Sequence, residues 1–195
     1  MVSFKLGKIR ISLDFSFFAV LGLVCVFDSG GYGILYLSAC LCHETAHLAV
    51  MAVKGHLPKE IIFSGGGICI RQSDSFSFAV LAAGSAVNFI LFGIFRFGFQ
   101  QDSIYKMIFA AANLCVGVFN LLPMGDLDGK RLIEELLIKH CGLKAAEFTA
   151  NVLQTATCVI WGGLVLYLLF KGEVNLTAVF VMIYIFAVDF FLEMR

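Results

Sequence analysis

Apolar residues dominate this chain in runs of about twenty residues, and short polar stretches separate them. Six runs lie at residues 12–28, 31–53, 76–99, 104–122, 145–170 and 174–192. A helix of about 20 apolar residues is long enough to cross the hydrocarbon core of a bilayer. The pattern therefore predicts an all-α polytopic membrane protein with about six transmembrane helices.

The segment between the second and third runs, "HLPKEIIFSGGGICIRQSD" at 56–74, has a different pattern. "EIIF" and "GICIR" are typical of two short strands, and Gly65, Gly66 and Gly67 lie between them. Such spacing predicts a β-hairpin. Because the segment is too apolar for a surface loop, we expect it to dip into the membrane, where irregular backbone must be buried in protein or line a cavity.

The segment 123–142 predicts an amphipathic helix from Lys130 onward, lying along the membrane surface. Charged side chains at i,i+4 spacing support a helix here. The pairs are Arg131 with Glu135 and Glu135 with Lys139, and the apolar face consists of Leu132, Ile133, Leu136 and Leu137.

Composition agrees with a membrane protein, because 60% of the 195 residues are hydrophobic. The 14 basic and 14 acidic residues give a net charge of zero, so nothing indicates nucleic acid as a partner. With six spans, eleven basic residues fall on one side of the membrane, and the positive-inside rule makes that side cytoplasmic. We therefore expect both termini in the cytoplasm. The eleven are Lys5, Lys8, Arg10, Lys54, Lys59, Arg71, Lys130, Arg131, Lys139, Lys144 and Arg195.

Three ionisable residues interrupt the second apolar run: His43, Glu44 and His47. A charged group near the bilayer centre costs about 2.5–3.5 kcal/mol, so such residues usually have a function. The spacing is H-E-x-x-H, in which two histidines on one helix face bind zinc and the glutamate can reach zinc-bound water. A chance match is the alternative. It is less favoured here, because in a membrane helix metal binding would offset the cost of all three residues.

Catalytic zinc usually takes three protein ligands, so a third is expected. His56 and His140 are candidates, but both lie among charged residues near the membrane surface and are better interpreted as solvated. Asp126 and Asp128 follow Pro123, where the fourth apolar run ends. Either aspartate could be the ligand, and either could instead cap the following helix.

These residues resemble the site-2 proteases, which are intramembrane zinc metalloproteases with H-E-x-x-H in one helix and N-x-x-P-x-x-x-x-D-G near the end of another. The chain has Asn120, Pro123, Asp128 and Gly129 at the matching spacing. The resemblance implies that His43, His47 and Asp128 hold one zinc ion, that Asp126 is the helix cap and that Glu44 is the general acid–base.

Two weaker elements also resemble this family. "FSGGG" matches a glycine-bearing hairpin, and "AAGSAVN" at 82–88 matches a G-P-x-x-N element with Ser85 in place of proline. We expect Asn88 to make a structural contact between spans. Asn120 is a candidate for binding the substrate backbone or the oxyanion, with a helix–helix hydrogen bond as the alternative. The glycines at 65–67 would bind a substrate strand along the hairpin edge.

The resemblance covers residues 10–142. Within the family, the six-span arrangement is similar to the sporulation proteases that release a sigma factor from its membrane-bound precursor. This implies a bacterial cell membrane, a membrane-associated or single-span protein substrate and an inhibitory membrane partner.

We expect one transmembrane metalloprotease domain over 1–195, with a core at 12–142, a final helix pair at 145–192, and no PDZ or CBS domain. A zinc transporter and a non-catalytic metal-binding scaffold are the alternative functions.

Overall fold

The computed structural model describes residues 1–171 except 8, 29, 65–66, 72–76, 99–102 and 126. Within that part of the chain, six helices and four strands follow one another. They are β1 (Val2–Leu6), β2 (Ile9–Leu13), α1 (Phe15–Phe27), α2 (Tyr32–Val53), β3 (Glu60–Ser64), β4 (Gly67–Arg71), α3 (Phe78–Phe97), α4 (Ile104–Asn120), α5 (Asp128–Cys141) and α6 (Leu143–Lys171).

Five of the six predicted apolar runs are helices, namely α1, α2, α3, α4 and α6. Of these, α2, α3 and α6 are long and apolar enough to cross a membrane, whereas α1 and α4 are apolar but shorter. The sixth run, 174–192, lies outside the described residues. A mostly helical membrane fold is therefore confirmed, while six crossings stay a prediction.

The chain divides into two compact units, Met1–Phe119 and Asn120–Arg195. The first contains the strands and nearly all of α1–α4, and the second contains α5 and α6.

In the first unit the four strands form one sheet in the order β1-β2-β3-β4. The predicted hairpin is confirmed: β3 and β4 pair antiparallel, with Glu60 opposite Arg71 and Ser64 opposite Gly67. Whether the hairpin dips into the membrane stays a prediction.

The N-terminal strands correct the all-α expectation. They also correct the start of the first apolar run, which was predicted at residue 12, because residues 12 and 13 belong to β2. In β2, polar and apolar residues alternate over "IRISL", the period of a strand. β2 pairs antiparallel with β1 and parallel with β3, so it is the second ladder partner of β3 beside β4. The fully buried Ser12 donates its hydroxyl to Glu60 Oε1 at 2.9 Å, a bond that links β2 to β3.

Helix α1 begins directly after the sheet at its N-cap, Asp14. One Asp14 carboxylate oxygen accepts from Phe15 N at 2.9 Å and the other from Ser16 Oγ at 2.7 Å. Asp28, at the end of α1, accepts from the backbone N–H groups of Tyr32, Gly33 and Ile34 in the first turn of α2. A carboxylate at a helix N-terminus satisfies otherwise unpaired donors and opposes the positive end of the helix dipole.

The core of the first unit lies where α3 and α4 pack against α2. Ala39 of α2 packs with Ala112 and Val116 of α4, and all three are buried. Helix α4 also approaches α3 closely, because the Ser85 hydroxyl donates to Gly117 O at 3.1 Å. These small residues bring three helices close to the H-E-x-x-H turn of α2.

In the second unit, α5 packs against α6. Its amphipathic pattern is confirmed in part: Leu132 is buried, Leu136 is 48% exposed, and Glu135 pairs with Lys139 at 3.6 Å. The position of α5 along the membrane surface stays a prediction.

Candidate metal centre

Helix α2 places His43 and His47 one turn apart on a single face. Only 2% of His43 and 6% of His47 is exposed, and their ring centroids lie 4.8 Å apart. A buried imidazole needs hydrogen-bond partners, because unsatisfied polar groups are costly away from water. Both rings find one on α3.

For His47 the partner is the backbone. Its Nδ1 lies 2.6 Å from the carbonyl oxygen of Val80. Because a carbonyl oxygen only accepts, the proton of a neutral His47 must be on Nδ1. The lone pair is therefore on Nε2, the ring nitrogen that can coordinate a metal.

For His43 the partner is Asn88, whose Oδ1 lies 2.6 Å from Nδ1. The amide nitrogen of Asn88 donates to Ala39 O at 3.2 Å and to Asn113 Oδ1 at 2.8 Å. Both of its hydrogens are thus used on acceptors, and its oxygen must be the atom that faces His43. His43 donates from Nδ1 and, like His47, has its lone pair on Nε2.

Gly84 of α3 lies against the Nε2 atoms of both histidines. A Cβ added at Gly84 would lie 2.5 Å from Nε2 of His43 and 2.5 Å from Nε2 of His47. Only a residue without a Cβ lets α3 approach both nitrogens this closely. Imidazole nitrogens suit Zn²⁺, and a metal-bound histidine usually donates its other N–H to an oxygen acceptor. The donor atoms and their tautomers fit a metal ion.

Glu44 follows His43 in α2 and is half-buried, in contrast to the two histidines. The two other histidines of the chain, His56 and His140, are exposed, as expected for solvated side chains.

The second unit contains the remaining predicted ligand, Asp128, at the first residue of α5. Asp128 is half-buried and offers a carboxylate oxygen. The N-cap residue of α5 is Leu127, whose side chain makes no capping bond, and Asp126 lies outside the described residues. The expectation that Asp126 caps this helix therefore stays a prediction.

The residue after Asp128 is Gly129, and its position has no room for a side chain. A Cβ at this position would overlap the carbonyl oxygen of Leu121, just after the end of α4. The first turn of α5 thus packs directly on the backbone that follows Asn120, an approach that only glycine allows. Asn120 itself is the half-buried last residue of α4.

Of the hairpin glycines, Gly65 and Gly66 lie outside the described residues, and Gly67 begins β4 opposite Ser64.

Several residues around the histidines were not predicted from the sequence. Asn88 makes the expected contact between spans, but its role as the hydrogen-bond partner of His43 was not predicted. Val80, Gly84 and Asn88 recur every four residues, so they share one face of α3. This spacing could have indicated a helix face turned toward the histidines, whereas the sequence pattern gave no sign of Asn113.

No family model matches the chain. A zinc metalloprotease of Methanocaldococcus jannaschii is 26% identical over 166 residues, which cover 76% of this chain and 49% of that relative. The solved structure of a site-2 protease from the same organism has a TM-score of 0.67, with 96% of this chain and 93% of that one covered, at 21% identity.

The resemblance to the site-2 proteases is confirmed. The likeness to the solved site-2 protease extends over nearly the whole of both chains and shows a shared fold. The chain spans about half the length of the curated zinc metalloprotease it matches. Neither similarity extends to a sporulation role.

Proposed function

We propose that the chain is an intramembrane zinc metalloendopeptidase. The observation that carries this proposal is that the Nε2 atoms of two buried histidines lie side by side against Gly84, on an apolar helix packed against two others. The similarity to proteins named zinc metalloprotease and site-2 protease supports the same conclusion.

The proposed ligands are His43, His47 and Asp128, holding one Zn²⁺ per chain. They offer two imidazole nitrogens and one carboxylate oxygen. Two histidines and a carboxylate are a donor set of catalytic zinc sites, which leave one position open to water or substrate. A bound Zn²⁺ would lower the pKa of a coordinated water to about 7 and polarise the scissile carbonyl.

Glu44 is the proposed general acid–base. It adjoins His43 in α2 but is less buried than either histidine, as suits a group that must exchange protons. Its carboxylate takes a proton from the attacking water and later delivers it to the nitrogen of the departing amine. Asn120 is the candidate for holding the substrate backbone or the oxyanion.

The proposed substrate is a membrane-embedded or membrane-associated protein, cleaved near the cytoplasmic face. A substrate helix must unwind before its backbone can be hydrolysed, and pairing as an added strand would hold it extended. In the described sheet β3 already lies between β2 and β4, so β4 of the hairpin, with the glycines at 65–67, is the candidate strand for that pairing. A sigma-factor precursor as substrate and an inhibitory membrane partner are the finer proposals, and both rest on the family resemblance.

Purified protein in detergent, incubated with single-span substrates, tests the proposal. We expect endoproteolytic cleavage that a zinc chelator abolishes and added Zn²⁺ restores. Absence of cleavage in zinc-loaded protein across a panel of such substrates would favour a metal transporter or a binding scaffold.

A further inference from the structure

A chain of buried hydrogen bonds runs across the first unit from α4 through α3 to α2. Asn113 Nδ2 donates to Phe109 O at 2.9 Å, Asn88 Nδ2 donates to Asn113 Oδ1 at 2.8 Å, and the chain ends at His43. Neither amide side chain is exposed at all, although both lie in apolar helices.

Asn113 is oriented by its own helix. Since its nitrogen donates to the carbonyl one turn earlier, its oxygen is turned toward Asn88. That oxygen can only accept, so it selects the amide nitrogen of Asn88 as its partner. The oxygen of Asn88 is thereby left for His43.

The opposite orientation of Asn88 would disable the histidine. Its NH₂ group would then face His43 Nδ1, which could pair with it only by accepting. The single proton of the neutral imidazole would move to Nε2, the atom that lies against Gly84. A protonated Nε2 has no lone pair to offer a metal.

We propose that Asn113 is a positioning residue of the metal centre, acting through Asn88 to hold His43 in its metal-binding tautomer. This inference rests on the proposed function only in that His43 binds a metal. It does not require peptide hydrolysis.

Zinc affinity of the purified full chain, measured by competition with a chromophoric chelator, tests the proposal. Partners behind a metal-bound histidine typically contribute 10–100-fold to metal affinity. We therefore expect Asn113→Leu to weaken Zn²⁺ binding by about 10-fold or more. Asn113→Asp should keep the affinity of the wild-type chain. A buried carboxylic acid stays protonated, so it can donate to the carbonyl oxygen of Phe109 while accepting from Asn88.

A control separates positioning from mere packing. Ser85 is also buried and also bonds α3 to α4, through Gly117 O. Ser85→Ala should lower the unfolding temperature and leave zinc affinity unchanged. Should Asn113→Leu fail to fold, Asn113→Ser is the second variant, since a serine hydroxyl can bond to the preceding turn but is too short to reach Asn88.

A double variant tests whether Asn113 acts on His43 through Asn88. If Asn113 acts through Asn88, then adding Asn113→Leu to Asn88→Leu should weaken zinc binding no further. Additive losses of zinc affinity in the double variant would overturn the proposal, as would wild-type affinity in both Asn113→Leu and Asn113→Ser. Either result would leave the proposed peptidase function intact. A wild-type chain that binds no zinc would instead overturn both.

Discussion

Gly84 of α3 borders His43 of α2 so closely that a methyl group at that glycine would lie 2.5 Å from the ring nitrogen Nε2. Real side-chain carbons do not approach a nitrogen this closely, so one of the two residues would have to move. The same methyl group would also press on Nε2 of His47, so both proposed donor nitrogens would have to shift.

Gly84→Ala should therefore abolish zinc binding, measured as metal content after purification. Gly93 lies on the same helix with nothing within 4 Å of an added Cβ, so Gly93→Ala is the matched control and should retain zinc. Full zinc occupancy in Gly84→Ala would show that the histidines do not meet their metal at this position.

The histidine pair could be predicted from the sequence because four-residue spacing places two side chains on one helix face. Their hydrogen-bond partners could not, since Val80 is 33 residues from His47 and Asn88 is 45 residues from His43. Only the packing of α3 on α2 brings these groups together. The sequence alone does not show how two apolar helix faces are aligned when they pack.

The N-terminal strands were missed for a related reason. β2 has an alternating pattern, but the basic residues Lys5, Lys8 and Arg10 and the apolar run that follows favoured a transmembrane segment. What stabilises it as a strand is pairing with β3, in which Arg10 lies opposite Glu60. Because that parallel partner lies fifty residues further along the chain, the residues near β2 do not reveal the pairing.

Gly129→Ala should destabilise the second unit. The new Cβ would overlap the Leu121 carbonyl, and backbone cannot yield as a flexible side chain can. Overpacking of this kind typically costs about 1–3 kcal/mol. A lower unfolding temperature in detergent would show it, with Gly163→Ala in α6 as the control because an added Cβ there meets nothing within 4 Å. Equal stability of the two variants would contradict the close packing of α5 on this turn.

Asp128→Ala should lower zinc occupancy strongly, because it would remove one of three proposed ligands. Asp126→Ala should keep the metal. Metal analysis of both purified variants, with circular dichroism to confirm folding, makes the comparison. Equal zinc loss in the two would show that the D-G match selects the wrong aspartate.

Topology reporters test the predicted orientation. Fusions at Met1 and Arg195 should both report the cytoplasm, because eleven of the fourteen basic residues then face it. A reporter inserted between α3 and α4 should report the opposite side. Either terminus found outside the cell would refute the six-span arrangement.

Glu44 separates a peptidase from a metal transporter most directly. Because it is not a proposed ligand, Glu44→Gln should keep its zinc, yet glutamine cannot take a proton from the attacking water. General acid–base assistance is worth on the order of 10²–10⁴-fold, so cleavage should fall to near background. Glu147→Gln, at an exposed carboxylate on α6, is the matched control and should retain both properties. The measurement pairs zinc content with cleavage of a membrane-embedded substrate in the same preparation. Full zinc with lost cleavage is the predicted result, and full zinc with undiminished cleavage would contradict the proposed mechanism.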